Sequence, residues 1–316
     1  MHYLSASLLT LLFLSSCRAT AQPAMPPEFG SRVDRGLVAL DAINEASGLA
    51  ASTRESNLLW THNDSGDSTR IFAMGVDGSD RGTWHIEGIA ARDWEDIASG
   101  PGPVDSLGYL YIGEIGDNNA RYETKVIYRI VEPRVGAASG RHSIDEVDAI
   151  SFRYPDGPRD AEGLFVDPVT LDIYVVSKRE TSVRLYRLPW PQSLDTTITA
   201  EHLVTFEGMT QITAAAISPD GSEILMKNYT NVFYWYRGPG QSVAEACSEE
   251  PTDVPYLLEA QGEAITFDSD GQGYYTVPEE PGGVPARLSY YPRLMSGATE
   301  SDERRMPKRA DLQVAE

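Results

Sequence analysis

Residues 162–178 read EGLFVDPVTLDIYVVSK, and residues 183–190 continue as VRLYRLPW. Two short runs of β-branched and aromatic residues flank an Asp-Pro turn, and a third run follows a polar break. That is the composition of consecutive antiparallel strands, not of a helix. A Glu stands at the head of the first run.

The same unit recurs along the chain. Its heads are Ser47-Gly-Leu-Ala-Ala-Ser, Glu95-Asp-Ile-Ala-Ser-Gly, Glu162-Gly-Leu-Phe-Val-Asp, Thr213-Ala-Ala-Ala-Ile-Ser and Glu263-Ala-Ile-Thr-Phe-Asp, spaced by 48, 67, 51 and 50 residues. Second strands read LLWTHND (58–64), GYLYIGEIGD (108–117), DIYVVSKRE (172–180), EILMKNY (223–229) and GYYTVPEE (273–280). Third strands follow each of these, and weaker fourth strands read GTWHIEGI, DAISFRYPDG, HLVTFEG and PYLLEA. No amphipathic stretch with helix-capping residues is legible.

Four strands per period of about 50 residues is the signature of propeller blades. The fifth unit ends after its third strand, and the run RGLVALDAI (35–43) before Ser47 supplies a fourth. The expectation is an all-β, five-bladed β-propeller of four-stranded blades, closed by an N-terminal strand that removes the open sheet edge. A sixth blade within the 67-residue interval is the alternative.

In such a ring the first strand of each blade lines the axis. Ser47, Glu95, Glu162, Thr213 and Glu263 then converge there. Three carboxylates in a narrow channel need a cation or raised pKa values. An all-oxygen donor set suits Ca2+ better than zinc or copper. The alternative is that these side chains hydrogen-bond neighbouring blades.

The order Ser, Glu, Glu, Thr, Glu, one per blade, resembles the axial calcium site of the calcium-activated nucleotidases (apyrases), five-bladed propellers with Ser, Glu, Glu, Ser, Glu at these places. The stretch Asp160–Asp167 followed by IYVVSK resembles phytase-like and esterase-like propellers. THNDSGD, DWEDIA and GEIGDNNARY resemble uncharacterised bacterial surface propellers. These resemblances imply a calcium-dependent phosphoester hydrolase of nucleotide or phytate type.

Loops after the second strands are expected to surround the ring with His62 and Asp64, Lys178 and Arg179, and Lys227. Arg92, Asp93, Asp160 and Gln211 precede the first strands. Lys and Arg beside a cation suit a phosphate oxyanion while an Asp or His activates water. His62, Asp64, Lys178, Arg179 and Lys227 are the candidate catalytic set, although a lone His in a turn-rich loop is commonly only a hydrogen-bonding residue. The alternative is a non-catalytic, calcium-stabilised propeller that binds a glycan, a peptide or an envelope protein. Aromatics of the second and third strands read as blade packing.

The 316 residues carry 26 Lys+Arg against 47 Asp+Glu, a formal charge of -21, which excludes a phosphate-gripping basic face for nucleic acid. Lys occurs only at 125, 178, 227 and 308, so Lys178 and Lys227 near one acidic rim draw notice.

Residues 4–14 (LSASLLTLLFL) have the length of a secretory h-region. They run into Leu14-Ser15-Ser16-Cys17, which resembles a bacterial lipobox. The expectation is a signal peptide over 1–16, a lipid anchor on Cys17 that makes the membrane a partner, a tether over 17–34, the propeller over 35–293 and a polar tail over 294–316. An outer-membrane or cell-surface location follows, or a periplasmic one if Cys17 is not lipidated. Cys247, the second of two cysteines, then has no disulfide partner and reads as incidental in a loop.

Overall fold

The computed structural model describes residues 27–136 and 140–294. The signal-peptide, Cys17 and tail readings lie outside them. Five sheets form a five-bladed β-propeller.

Blade 1 holds β2 (Ala46–Ala51), β3 (Leu58–Asn63), β4 (Arg70–Gly75) and β5 (Asp80–Ile86). Blade 2 holds β6 (Trp94–Gly100), β7 (Tyr109–Glu114), β8 (Lys125–Val131) and β10 (Asp148–Arg153). Blade 3 holds β11 (Ala161–Val166), β12 (Ile173–Ser177), β13 (Val183–Leu188) and β15 (Glu201–Phe206). Blade 4 holds β16 (Ile212–Ile217), β17 (Glu223–Asn228), β18 (Val232–Tyr236) and β19 (Thr252–Val254). Blade 5 holds β20 (Gly262–Phe267), β21 (Gly273–Pro278) and β22 (Arg287–Pro292), and β1 (Val33–Leu37) pairs antiparallel with β22 to complete it.

The closing strand begins earlier than expected. Gly36 faces Leu288 and Val33 faces Tyr290, while Phe29 bridges to Arg293. The Phe29 ring is buried edge-on to Tyr274, with centroids 5.0 Å apart. Residues 29–34, read as tether, therefore belong to the fold.

Among its described residues the long interval between Glu95 and Glu162 holds no sixth blade. Its surplus contains β9 (Arg141–Ile144), which lies parallel to β5 on the outer edge of blade 1. In the same way β14 (Ile198–Thr199) lies parallel to β10 on blade 2. Each excursion covers a neighbour's edge strand.

Two other local expectations are corrected. The outer strand of blade 4 is Thr252–Val254, not PYLLEA: Leu257 and Leu258 are 53% and 65% exposed. A short helix, α1 (Val243–Cys247), precedes it. Ser242 caps the Glu245 N–H, and the Glu245 carboxylate returns to the Ser242 N–H. That reciprocal cap lets a single turn persist. Cys247 sits on this helix, packed with Val243 and Ala246 against Phe206 and Trp235. Burial pushes its thiol far above the usual range, so it is unreactive.

The core lies between blades. Tyr111, Tyr186, Tyr234, Trp235, Tyr290 and Tyr291 are buried there, as read from the sequence, whereas Tyr236 is exposed. β2 and β6 approach closely at Gly48, where a Cβ would stand 2.5 Å from the Ile97 nitrogen.

Candidate functional site

Each of the five axial residues is the extra residue of a β-bulge. The pairing between first and second strands slips between Ala46 and Gly48, Trp94 and Asp96, Ala161 and Gly163, Ile212 and Ala214, and Gly262 and Ala264. The residues left out of register are Ser47, Glu95, Glu162, Thr213 and Glu263. A bulge re-aims one side chain and leaves the ladder intact on either side. All five are buried, none more than 6% exposed.

The two hydroxyls already have donors' work. Ser47 Oγ donates to the Glu95 carbonyl at 2.7 Å, and Thr213 Oγ1 to the Gly262 carbonyl at 3.4 Å. Each tie joins one blade to the next and leaves the hydroxyl lone pairs unspent.

The carboxylates are crowded. Oxygens of Glu95, Asp160 and Glu162 lie within 4.8 Å of one another, as do those of Asp64, Asp93 and Glu95 and those of Asp64, Glu263 and Glu279. These sets share members and form one acidic basin where the inner strands begin. Burial, followed by the charge of Glu162, drives the Glu95 pKa well above the carboxylate range. Burial also raises Glu162, although the Lys178 ammonium opposes it. Asp93 is pushed to about 6 by burial and by Asp64, and Glu279 to about 8 by burial and by Glu263.

Backbone and neighbours hold the basin. Glu114 accepts the N–H groups of Arg92 and Asp93 at 2.8 and 2.9 Å, which fixes the approach to β6. Asp160 accepts the Asp117 N–H at 2.7 Å and pairs with Arg179, whose guanidinium also meets Asn118 and remains 42% exposed. Gly116 matters for its missing side chain: a Cβ would come within 2.0 Å of Glu95 Oε1 and 2.6 Å of the Asp93 carboxyl carbon. The Tyr229 hydroxyl donates to Glu263 Oε1 at 2.6 Å.

Lys178 lies inside the ring. Its ammonium pairs with Glu162 and stands 3.7 Å from Glu263. Burial opposes its charge, but Glu162 and Glu263 together hold its pKa above the usual lysine value.

His62 and Lys227 are not part of the basin, and the register explains why. Gly48, Asp96, Gly163, Ala214 and Ala264 pair with His62, Gly113, Val176, Lys227 and Val277. Apart from these two polar members, that column is filled by Gly and Val. Two positions further along, in the same five blades, stand Asp64, Ile115, Lys178, Tyr229 and Glu279. Asp64, Lys178, Tyr229 and Glu279 of this second column meet the axial acids, while Ile115 packs into the core, so Tyr229 and not Lys227 is the blade-4 counterpart of Lys178. His62 is fully buried edge-on to Trp94, and burial lowers it to about 4, so it is neutral. Lys227 is fully buried, donates to the Gly262 carbonyl, and is lowered by burial to about 8.

Asp93 and Asp160 were legible only as residues preceding the first strands, and Glu279 only as part of the run GYYTVPEE. A closer signal exists: Asp93-x-Glu95 and Asp160-x-Glu162 place a second carboxylate two residues before the axial one, and the oxygens of each pair lie within 4.8 Å of each other. The corresponding residues Gln211 and Gln261 adopt left-handed φ of 57° and 48°, a conformation non-glycine residues take at a cost and often near functional sites.

Asp96 carries no sequence signal. Fully buried, its carboxylate accepts N–H groups of Ile97, Leu164 and Ala215 at 2.8, 2.8 and 3.3 Å, which braces three inner strands. Burial nevertheless raises its pKa.

Set against protein-family models the chain matches none, and no curated protein matches it either.

Proposed function

We propose that the basin binds a divalent oxygen-preferring cation, Ca2+ by its donor chemistry, and that the protein hydrolyses phosphoesters at this face. The observation that carries the reading is the closeness of Glu95, Asp160 and Glu162 oxygens, within 4.8 Å of one another and buried. Buried like charges are retained at a cost that a cation offsets. Glu263 and the hydroxyl oxygens of Ser47 and Thr213 complete an all-oxygen set. Gly116 supports the fit, because it leaves the Glu95 and Asp93 carboxylates room that any side chain would fill.

When bound, the cation supplies positive charge against a phosphoryl oxygen. Arg179, exposed at the rim, would orient the remaining anionic oxygens. Asp93, half-buried and raised to about 6, ionises close to neutral pH and would accept a proton from water. Asp64 keeps Asp93 raised, and Lys178 holds Glu162 in place. His62 and Lys227 have no part in this reading.

The second reading is a non-catalytic, cation-stabilised propeller that binds a glycan, peptide or envelope protein. The position of Lys178 favours it, because its ammonium is buried and engaged by Glu162 and Glu263 and does not present itself to a phosphate at the rim. On either reading residues 1–17 support export and a lipid anchor on Cys17, with the propeller displayed at the outer membrane or cell surface.

Elemental analysis of the purified protein, paired with a phosphoester panel with and without chelator, tests the proposal. Bound Ca2+ with chelator-sensitive turnover that Asp93→Asn removes is the expected result. Bound Ca2+ without turnover leaves the second reading, and a protein that neither retains nor responds to Ca2+ refutes both.

A further inference from the structure

The axial channel has a second mouth, where the inner strands end, and its chemistry differs from that of the acidic basin. A constriction separates them. It narrows to a void of about 20 Å3, room for about one water, walled by residues such as Leu49, Ile97, Leu164 and Ala215. The Asp96 carboxylate ties the last three of those strands' backbones together at this level. The far mouth is therefore set apart from the basin by this narrow stretch of inner strands.

Its volume is about 490 Å3, within the range of small-molecule sites and far more than an inorganic anion fills. Pro101, Pro168 and Pro219 stiffen its rim, one after each of three inner strands, and Leu107 adds an apolar wall. Ser99, Ser106 and Thr266 bring hydroxyl groups to the same walls. Arg54 supplies the positive charge. Its Nε is buried without a hydrogen-bond partner, and no carboxylate among the described residues forms an ion pair with it. Two carboxylates also line the pocket. Asp268 is engaged by the Tyr290 hydroxyl and the Gln272 N–H, both at 2.6 Å, while Asp105 stays exposed at the rim.

We infer that this pocket binds a small polyhydroxylated carboxylate, a sugar acid. One guanidinium matches one carboxylate in a two-pronged pair. Serine hydroxyls and the rim carboxylate match the donors and acceptors of ring hydroxyls, and proline and leucine walls match the C–H faces of a sugar ring.

The test is isothermal titration of the full chain with D-glucuronate, D-glucose and inorganic phosphate. Saturable binding of glucuronate, stronger than that of glucose, is expected. Arg54→Met should weaken glucuronate binding roughly tenfold or more, the loss of a charged hydrogen bond. Glu95→Gln and added chelator should leave it unchanged. Ser99→Leu, which fills the pocket without touching the charge, should abolish binding and serves if Arg54→Met does not fold. Absence of saturable glucuronate binding overturns the inference. So does competition by phosphate at equal affinity, or loss of binding on chelation while Arg54→Met binds normally.

Discussion

The ammonium of Lys178 is paired with the carboxylate of Glu162 inside the axial ring, 3.7 Å from Glu263, where both side chains are almost wholly buried. Removing one partner of such a pair leaves an uncompensated buried charge, on the order of 3 kcal/mol. Lys178→Met should thus lower the melting temperature of the chelated protein. The same change clears an internal cation from the ring, so Ca2+ should restore more stability to the variant than to the parent. Calorimetry of both proteins with and without Ca2+ checks this. An equal Ca2+ response in the two would mean that Lys178 and the cation do not share a site.

The acidic basin also sets a pH dependence. In the folded protein Asp93 is raised to about 6, Glu279 to about 8, and Glu95 and Glu162 well above their ordinary values, with burial the leading cause in each. A carboxyl whose folded pKa exceeds its unfolded value holds its proton longer in the fold. Its stabilisation is present at low pH and is lost as pH rises through the folded pKa. His62, lowered to about 4, acts only below about 6.5. Between pH 6.5 and 8, below the range where Lys227 titrates with the opposite sign, the chelated protein should therefore melt at progressively lower temperature. Saturating Ca2+ should flatten that slope, because the cation takes the place of the protons. A chelated protein whose melting temperature rises over this window would contradict the crowding of these acids.

Much of the fold was legible because an oxygen-bearing side chain recurs at one place in each blade. The bulged position must carry an oxygen side chain to face the axis, so Ser, Glu, Glu, Thr and Glu mark the blades even where strand sequences diverge. What was not legible depends on pairing. PYLLEA looks apolar, yet Leu257 and Leu258 face outward, and the strand that pairs is the polar Thr252–Val254. β9 and β14 are placed by a parallel edge in a different blade, which no local pattern records. Lys227 and Lys178 look alike from sequence, each closing an apolar run. Two residues of register separate them, and that offset puts one in the ring and the other behind it.

Lys227 gives an independent check on that register. Burial lowers its pKa to about 8, against an ordinary value of 10.5. Between these values the unfolded chain binds more protons than the fold, so stability from this group rises with pH across the window. Lys227→Met removes the titration and keeps the length. The variant should be more stable than the parent at pH 7, by on the order of 1–3 kcal/mol, and the gap should narrow toward pH 10. The buried tyrosines titrate identically in both proteins and cancel in the comparison. Denaturant unfolding at pH 7, 8.5 and 9.5 reads it, and a gap that stays constant would place Lys227 in water.

Gly116 separates the basin's shape from its charge. Its φ is not left-handed, so alanine is tolerated by the backbone, and the nearest obstacles are the Glu95 and Asp93 carboxylates within 2.0 and 2.6 Å of the new methyl group. Those side chains must move, and Asp93 is also fixed through its N–H to Glu114. Gly116→Ala should therefore leave the charge of the basin intact yet weaken Ca2+ binding roughly tenfold, because cation sites demand ligand placement within a few tenths of an ångström. Asp96 and the far pocket lie outside its reach, so glucuronate binding should be unchanged. Calcium titration of Gly116→Ala beside Glu95→Gln reads both terms. If the alanine variant binds Ca2+ as the parent does, Glu95 is not held in the position from which it would act as a ligand, and among the carboxylates the cation reading must rest on Asp160, Glu162 and Glu263.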